Sequence, residues 1–532
     1  METEKDASAR PAALAPEPPL ATTALTDSAL APTGPRRRSP ALRRALIASV
    51  TGCLVLGGVV VLLPDGSGKA APPALGPAGR AMAAVGAGAP AALPDLTALI
   101  GEREAHLRAH PGDEQSWAVL GSAYVERGLR TGDVASYPKA EQALRTSMKA
   151  RPDDGAGNVE ALTGLAALAN ARHDFRAAKK WGELATMQAP KRWTTYPVLI
   201  DAYRGLGDTK GVGRALESLQ QLGGGAPALM TAGRVYQDRG WREDAGAALT
   251  DAAALAEAPA QKAACLYRVG ELAWERGEPV EALRYYGAAL AADPDHHPAL
   301  AGKGRALAAL GRSGEALSAY QAALAQRAEP QYALELGELY ESLNLLPAAR
   351  AQYDALRARV RQESTGGVND ERILGLFEAD HGDPDEAVRR LETEWKRHGS
   401  PQSADALGWA LHRAGDDEEA LEYAKKAHEK GPRSAQFAYH RGEIERELGT
   451  YGAARRHIGE ALRINPYFSP LGAKAAKGAL DSLGEPPEGG PEQVYPPAPP
   501  RPRYSGSSPS GSGSGTKPRG TAPKTSKPSK RR

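Results

Sequence analysis

A small residue returns at a near-constant interval through the middle of this chain, and that interval constrains the fold more than any other feature. Gly270, Gly304, Gly337, Gly375, Gly408 and Gly442 stand 34, 33, 38, 33 and 34 residues apart. Ala282, Ala316, Ala349, Ala387, Ala420 and Ala454 keep step with them, as do turn glycines at Gly277, Gly311, Gly382, Gly415 and Gly449. Within one interval, Leu266, Val269, Gly270 and Ala273 share one helical face. Ala282, Tyr286, Ala289 and Leu290 share a second, each with the i, i+3, i+4, i+7 spacing of an amphipathic helix. Gly277, Glu278 and Pro279 break the pattern between them, and Asp293 and Pro294 end it. The unit is two short antiparallel helices, neither able to bury its apolar face alone. The small residue stands where two helices cross too closely for a longer side chain.

A helix–turn–helix period near 34 residues resembles the tetratricopeptide repeat. The resemblance runs from roughly Trp117 to Pro466. It implies an all-α fold: a right-handed superhelical solenoid of about ten such repeats, with stability summed over neighbours. It implies a scaffold and names no reaction. Asp95–His110 reads as a leading helix and Pro470–Leu483 as a closing one, so the capped solenoid spans 95–483. Extra residues at Thr131–Ser136 enlarge the first turn. Repeat eight departs, with Glu378 where an aromatic is expected. The preceding Glu363–Asn369 is loop-like and reads as a kink or mobile joint.

The two ends are different material. Residues 1–44 are rich in Ala, Pro, Ser and Thr and read as a disordered cytoplasmic tail. Five arginines close this tail, before the uncharged run Ala45–Leu63. Nineteen such residues are about what a membrane-crossing helix needs. The arginines place the N-terminus inside and the repeats outside the cytoplasmic membrane. Cleavage near Gly68–Ala70 and secretion is the alternative. Residues 64–94 read as a Gly/Ala/Pro-rich linker and 484–532 as a disordered basic tail. Against +3 for the whole chain, residues 1–44 carry +2 and 493–532 carry +9, which leaves −8 on 45–492. The tail is therefore expected either to solubilise or to meet an anionic surface, a wall polymer or lipid if outside and nucleic acid if inside.

The sequence shows no catalytic constellation, so the chain is read as a non-enzyme with no cofactor, metal or small-molecule substrate. Gly205–Gly213 lacks the spacing of a phosphate loop. Of the two cysteines, Cys53 lies in the apolar run and Cys265 on an amphipathic helix, where it reads as inert packing. His106 with His110, and His296 with His297, are weak metal pairs; the latter read as solvated turn residues. In proteins that this chain resembles, the first helix of each repeat lines a concave groove for extended peptides or partner helices. That implies partner-binding positions at Tyr267, Trp274, Arg305, Trp409, His412, Tyr439 and Arg446. The last four fall outside the packing positions Leu407, Gly408, Leu411 and Gly442, and read as one patch. The Lys/Asn set with which the co-chaperone branch grips a terminal carboxylate is missing. The expected function is a membrane-tethered protein–protein interaction scaffold. An envelope biogenesis or secretion assembly subunit and a polysaccharide or cell-wall-binding module are the alternatives.

Overall fold

The computed structural model describes residues 75–150, 158–430 and 432–484. Among them there are 23 helices and no strand. Helices α1 (Pro77–Gly86) and α2 (Leu93–Ala109) lead into ten helix pairs. The first five are α3–α4 (Glu114–Thr131, Ser136–Ala150), α5–α6 (Val159–Ala171, Phe175–Gln188), α7–α8 (Thr195–Gly205, Thr209–Leu222), α9–α10 (Gly225–Asp238, Arg242–Leu255) and α11–α12 (Pro259–Glu275, Pro279–Ala292). The second five are α13–α14 (His297–Ala309, Ser313–Gln326), α15–α16 (Pro330–Ser342, Leu346–Thr365), α17–α18 (Glu371–His381, Pro384–Arg397), α19–α20 (Pro401–Ala414, Asp417–Lys430) and α21–α22 (Ala435–Glu447, Tyr451–Ile464). Helix α23 (Gly472–Leu483) closes the stack, with Lys474 and Lys477 exposed on it.

Local chemistry sets the helix ends. Asp113, Asn158, Asp174, Asp208, Ser400 and Ser434 accept a backbone N–H in the first turn of the helix that each precedes. Proline opens α11, α12, α13, α15, α18 and α19, where its missing N–H costs nothing. The turn inside most pairs needs one residue at positive φ. Gly207, Gly240, Gly277, Gly311, Gly415 and Gly449 supply it, while His173 and Asn344 do so in pairs two and seven. The periodic glycines meet aromatic rings. A Cβ on Gly270 would lie 2.7 Å from the Tyr286 ring, and one on Gly302 would lie 2.6 Å from the same ring. Tyr286 is fully buried between two repeats as a result.

Two expectations change. The stretch read as linker already belongs to the fold, because Pro77–Gly86 is helical and Ala81 on it is buried. Arg80 holds Asp95 at the start of α2 through paired hydrogen bonds of 2.8 and 2.6 Å. The segment expected as a joint is instead anchored. The extra residues of the 38-residue step extend α16 to 20 residues, as far as Thr365. The remaining Gly366–Asp370 then packs on the turn between α5 and α6.

That contact is part of a seam along which later repeats lie against the turns of earlier ones. Arg359 Nη2 donates to the Gly132 carbonyl at 2.8 Å, and Arg327 donates to the Leu129 carbonyl. Arg172 Nε donates to the Gly366 carbonyl at 2.8 Å, and Asn369 N donates back to Arg172 O at 3.1 Å. Arg176 donates to the Lys396 carbonyl at 2.6 Å. Asn465 Nδ2 donates to the Trp274 carbonyl at 2.8 Å. Most of these partners are some 190–230 residues apart in sequence. The solenoid thus closes on itself after about six repeats.

Among the described residues no helix is long and apolar enough to cross a membrane. The expected membrane helix at 45–63, the tail 1–44 and nearly all of the tail 484–532 lie outside the described residues.

Candidate functional site: a central cavity

Closing the seam leaves a cavity of about 1570 Å³ inside the superhelix. Its first wall is the inner face of α3, α5, α7 and α9, which contribute Ser122, Thr163, Asn170, Asp201, Met230 and Arg234. Its second wall comes from the later repeats and includes Arg327, Glu329, Glu363, Arg372, His398 and Gln402. The lining is mixed: aliphatic carbon interrupted by hydroxyls, amides and arginines.

Charge on the first wall is largely self-paired. Arg204 Nε binds Asp238 at 2.6 Å, and Arg204 Nη1 binds Asp201 at 3.2 Å. Arg234 Nη1 reaches Asp201 at 3.1 Å. Burial alone would raise the Asp201 pKa, but the two guanidiniums outweigh it and hold the carboxyl below its usual range. Burial brings Arg234 down to about 10, the nearby positive charges of Arg204 and Arg268 adding to the effect against the pull of Asp201.

The second wall holds the under-neutralised cation. Arg372, on α17, lines the cavity, reached by solvent yet enclosed by the surrounding walls. It makes no hydrogen bond or ion pair with any described residue. Burial lowers its pKa, although Glu394, Asp370 and Asp405 attract it from a distance. Arg239 also faces the cavity, 5.1 Å above the Trp241 ring, and its pKa is lowered by burial in the same way. Beside Arg372, His398 is 1% exposed and fixed through Nδ1 to Glu394 at 2.7 Å. Asn369 Nδ2 holds the other oxygen of Glu394 at 2.8 Å. An arginine held over a cavity without a direct ion pair is a ready partner for a carboxylate or phosphate.

The tetratricopeptide-repeat family models match residues 273–334, 374–432 and 407–467. The chain carries tetratricopeptide repeats. No curated protein matches it significantly. Similar solved structures include yeast Tom70, 12% identical, with 68% of this chain and 96% of that one covered at a TM-score of 0.30. A tetratricopeptide repeat protein from Parabacteroides merdae is 19% identical, with 49% and 99% covered at a TM-score of 0.30. The human IFIT1 dimer with PPP-AAAA is 14% identical, with 59% and 72% covered at a TM-score of 0.41.

The seven residues expected at the groove sit on inner helix faces of the repeats, and none of them lines the cavity. They fall into two groups. In repeats five and six, Tyr267 packs 6.0 Å from Tyr286, and Trp274 is 7% exposed with Arg305 5.6 Å above its ring. Arg305 binds Glu271 at 2.9 Å and Glu335 at 3.7 Å. Tyr286 and Tyr320 donate to those same carboxylates. In repeats nine and ten, Trp409 is 5% exposed, stacks on His440 at 4.2 Å and donates its indole N–H to Asp380 at 3.0 Å. Tyr439 is 8% exposed and packs on Phe468 at 5.4 Å. His412 binds Asp417 at 2.5 Å, and Arg446 binds Glu443 at 2.8 Å. The expectation that Trp409 and Tyr439 stand clear of packing is therefore corrected. The superhelix winds tightly enough for neighbouring inner faces to pack on each other.

The histidine pairs are also placed by packing. His106 stacks on His110 at 4.5 Å and binds Asp113 at 2.8 Å. His296, expected to be solvated, is 8% exposed and accepts from the Ala299 N–H. Burial pushes its pKa down to about 4 and that of His297 down to about 3. Cys265 is buried, and its thiol is pushed up to about 11 by desolvation. Among the described residues no cluster of three or more His, Cys, Asp or Glu side chains could hold a metal ion.

Sequence reasoning missed Arg234 and Arg372. Arg234 directly follows Gly233, as Arg305 follows Gly304, and Arg372 precedes Gly375 by three, as Tyr267 precedes Gly270. The same offsets applied to repeats four and eight name both.

Proposed function

We propose that this chain is a membrane-tethered interaction scaffold that receives an extended segment of a partner protein in its central cavity. Tetratricopeptide repeats indicate protein–protein interaction. The cavity exceeds the roughly 300–1,000 Å³ of small-molecule pockets, which favours a length of polypeptide over a metabolite. The observation that carries the reading is Arg372, a guanidinium with no direct ion pair facing that space, its nearby carboxylates acting only from a distance. An acidic side chain of the partner supplies the missing charge there, and the hydroxyl and amide groups of the first wall take its backbone. The inner-face aromatics Trp274, Trp409 and Tyr439, with Tyr267, Arg305 and His412, serve as the frame that sets the superhelix. Arg446, with 37% of its side chain exposed, is the one of the seven best placed for contact. The tether rests on the uncharged run 45–63 and the arginines before it.

The test places a photo-reactive amino acid at Thr163 of the full chain and captures adducts in intact cells. A polypeptide adduct should form, and Arg372→Glu should reduce it at least tenfold with an unchanged melting temperature. An adduct indifferent to Arg372→Glu would overturn the reading.

A further inference from the structure

The turns inside the repeats form one edge of the superhelix, and the two halves of that edge differ. In repeats one, two, three and five the later chain covers it. A Cβ on Gly132 would lie 2.8 Å from Arg359, one on Gly207 2.9 Å from the Gly399 carbonyl, and one on Gly277 2.9 Å from Pro466. In repeats six, nine and ten the matching glycines are Gly311, Gly415 and Gly449, and a Cβ there would meet nothing within 4 Å. The bare half is not inert. At repeat seven it exposes Leu343, Leu345 and Leu346, by 36%, 45% and 46%. At repeats eight and nine it exposes Asp385, Asp416, Glu418 and Glu419, for which no described residue is an ion-pair partner.

The fold also ends on this edge. Arg455, near the start of α22, donates to the Gly484 carbonyl at 3.0 Å, so the chain leaves beside the turn of repeat ten. From there, 17 residues lead to Arg501. Drawn out at about 3.1 Å each, these can reach roughly 50 Å. Two helices at about 8–10 Å each make a repeat roughly 20 Å wide, so this reach passes repeats nine and eight. Residues 493–532 carry nine basic side chains and no acidic one.

We propose that the basic segment 501–532 docks on the bare turn edge of repeats seven to nine of its own chain. Its lysines and arginines meet the acidic turns of repeats nine and eight, and its prolines and Tyr504 cover the leucines of repeat seven. The edge then gains the kind of cover that the turns of repeats one, two, three and five receive from the later chain. A second copy could offer its own chain to this edge, but the tail is delivered covalently and has the opposite charge.

The test uses the full-length chain, free of lipid, with a photo-reactive residue in place of Tyr504. Peptide mapping should find intrachain adducts within 343–347, 383–386 and 416–419. These should fall at least fivefold in the triple variant Asp416→Asn, Glu418→Gln, Glu419→Gln at an unchanged melting temperature. They should also fall at about 0.5 M salt, where charge interactions are screened within a few ångströms. Adducts elsewhere on the fold, adducts unaffected by the triple variant, or adducts only between chains would each overturn the proposal.

Discussion

At the residue scale, inner-face side chains in this superhelix are buried partners before they are ligand contacts. Trp409 shows this best. Its ring stacks on His440 and packs against Tyr439, and its N–H is taken by Asp380 of the preceding repeat. His440 is in turn fixed to Asp405 at 3.0 Å. Removing the indole opens a cavity and strands Asp380. Trp409→Ala should therefore cost about 3–5 kcal/mol in chemical denaturation, the range for a buried Trp reduced to Ala. Partner capture by the folded fraction should stay at the native level. A stable variant with lost capture would return Trp409 to the role of a contact.

At the element scale, the helix pairs were legible and their closure was not. The 34-residue period, the crossing glycines and the turn residues are local signals that marked the ten pairs with α2 and α23, while α1 was read as linker. The seam depends on the pitch of the superhelix, which arises from small rotations added over about six repeats. No single residue announces it. The nearest sign was the 38-residue step, whose surplus lengthens α16 and delivers Gly366–Asp370 to Arg172 and His173. For the same reason Arg372 was passed over, because its setting exists only once the ring is shut. Two glycines separate turn geometry from seam packing. Gly207 and Gly415 both have positive φ, at 66° and 90°, so alanine strains both, by about 1 kcal/mol. Only at Gly207 would the new methyl also press on Gly399 and Ser400 across the seam. Gly207→Ala should cost at least about 1 kcal/mol more than Gly415→Ala, as overpacking does. Equal losses in thermal unfolding would mean that the seam bears no load at repeat three.

At the scale of the whole molecule, the seam joins early and late repeats through groups whose pKa values folding raises. Glu363 is 3% exposed and its pKa is pushed up to about 8, first by burial and then by its hydrogen bond to Asp370 and by the charges of Asp370 and Glu329, against the pull of Arg359. A proton on Glu363 lets it donate to Asp370, which would otherwise face it as a second carboxylate. Asp370 lies 3.5 Å from His173 of the early repeats, and Arg327 stands nearby. Burial works to lower the His173 pKa, but the hydrogen bond and charge of Asp370 outweigh it, and the pKa is raised. Both groups bind a proton more tightly folded than unfolded. Their stabilising contribution is thus complete below the unfolded values and is lost as pH rises through the folded ones. The carboxyl of Asp370 is held below its usual range and titrates only in acid, so it does not enter this window. The melting temperature should fall from about pH 5, just above the unfolded value of Glu363, to about pH 8, its folded value. Glu338, pushed up to about 8 mainly by burial, adds to that fall away from the seam. Glu363→Gln keeps a donor toward Asp370 and an acceptor for Arg359 but cannot ionise. It should flatten the fall without abolishing it, because Glu338 still titrates. Parallel melting curves for Glu363→Gln and the parent across that window would show that the seam does not sense the proton.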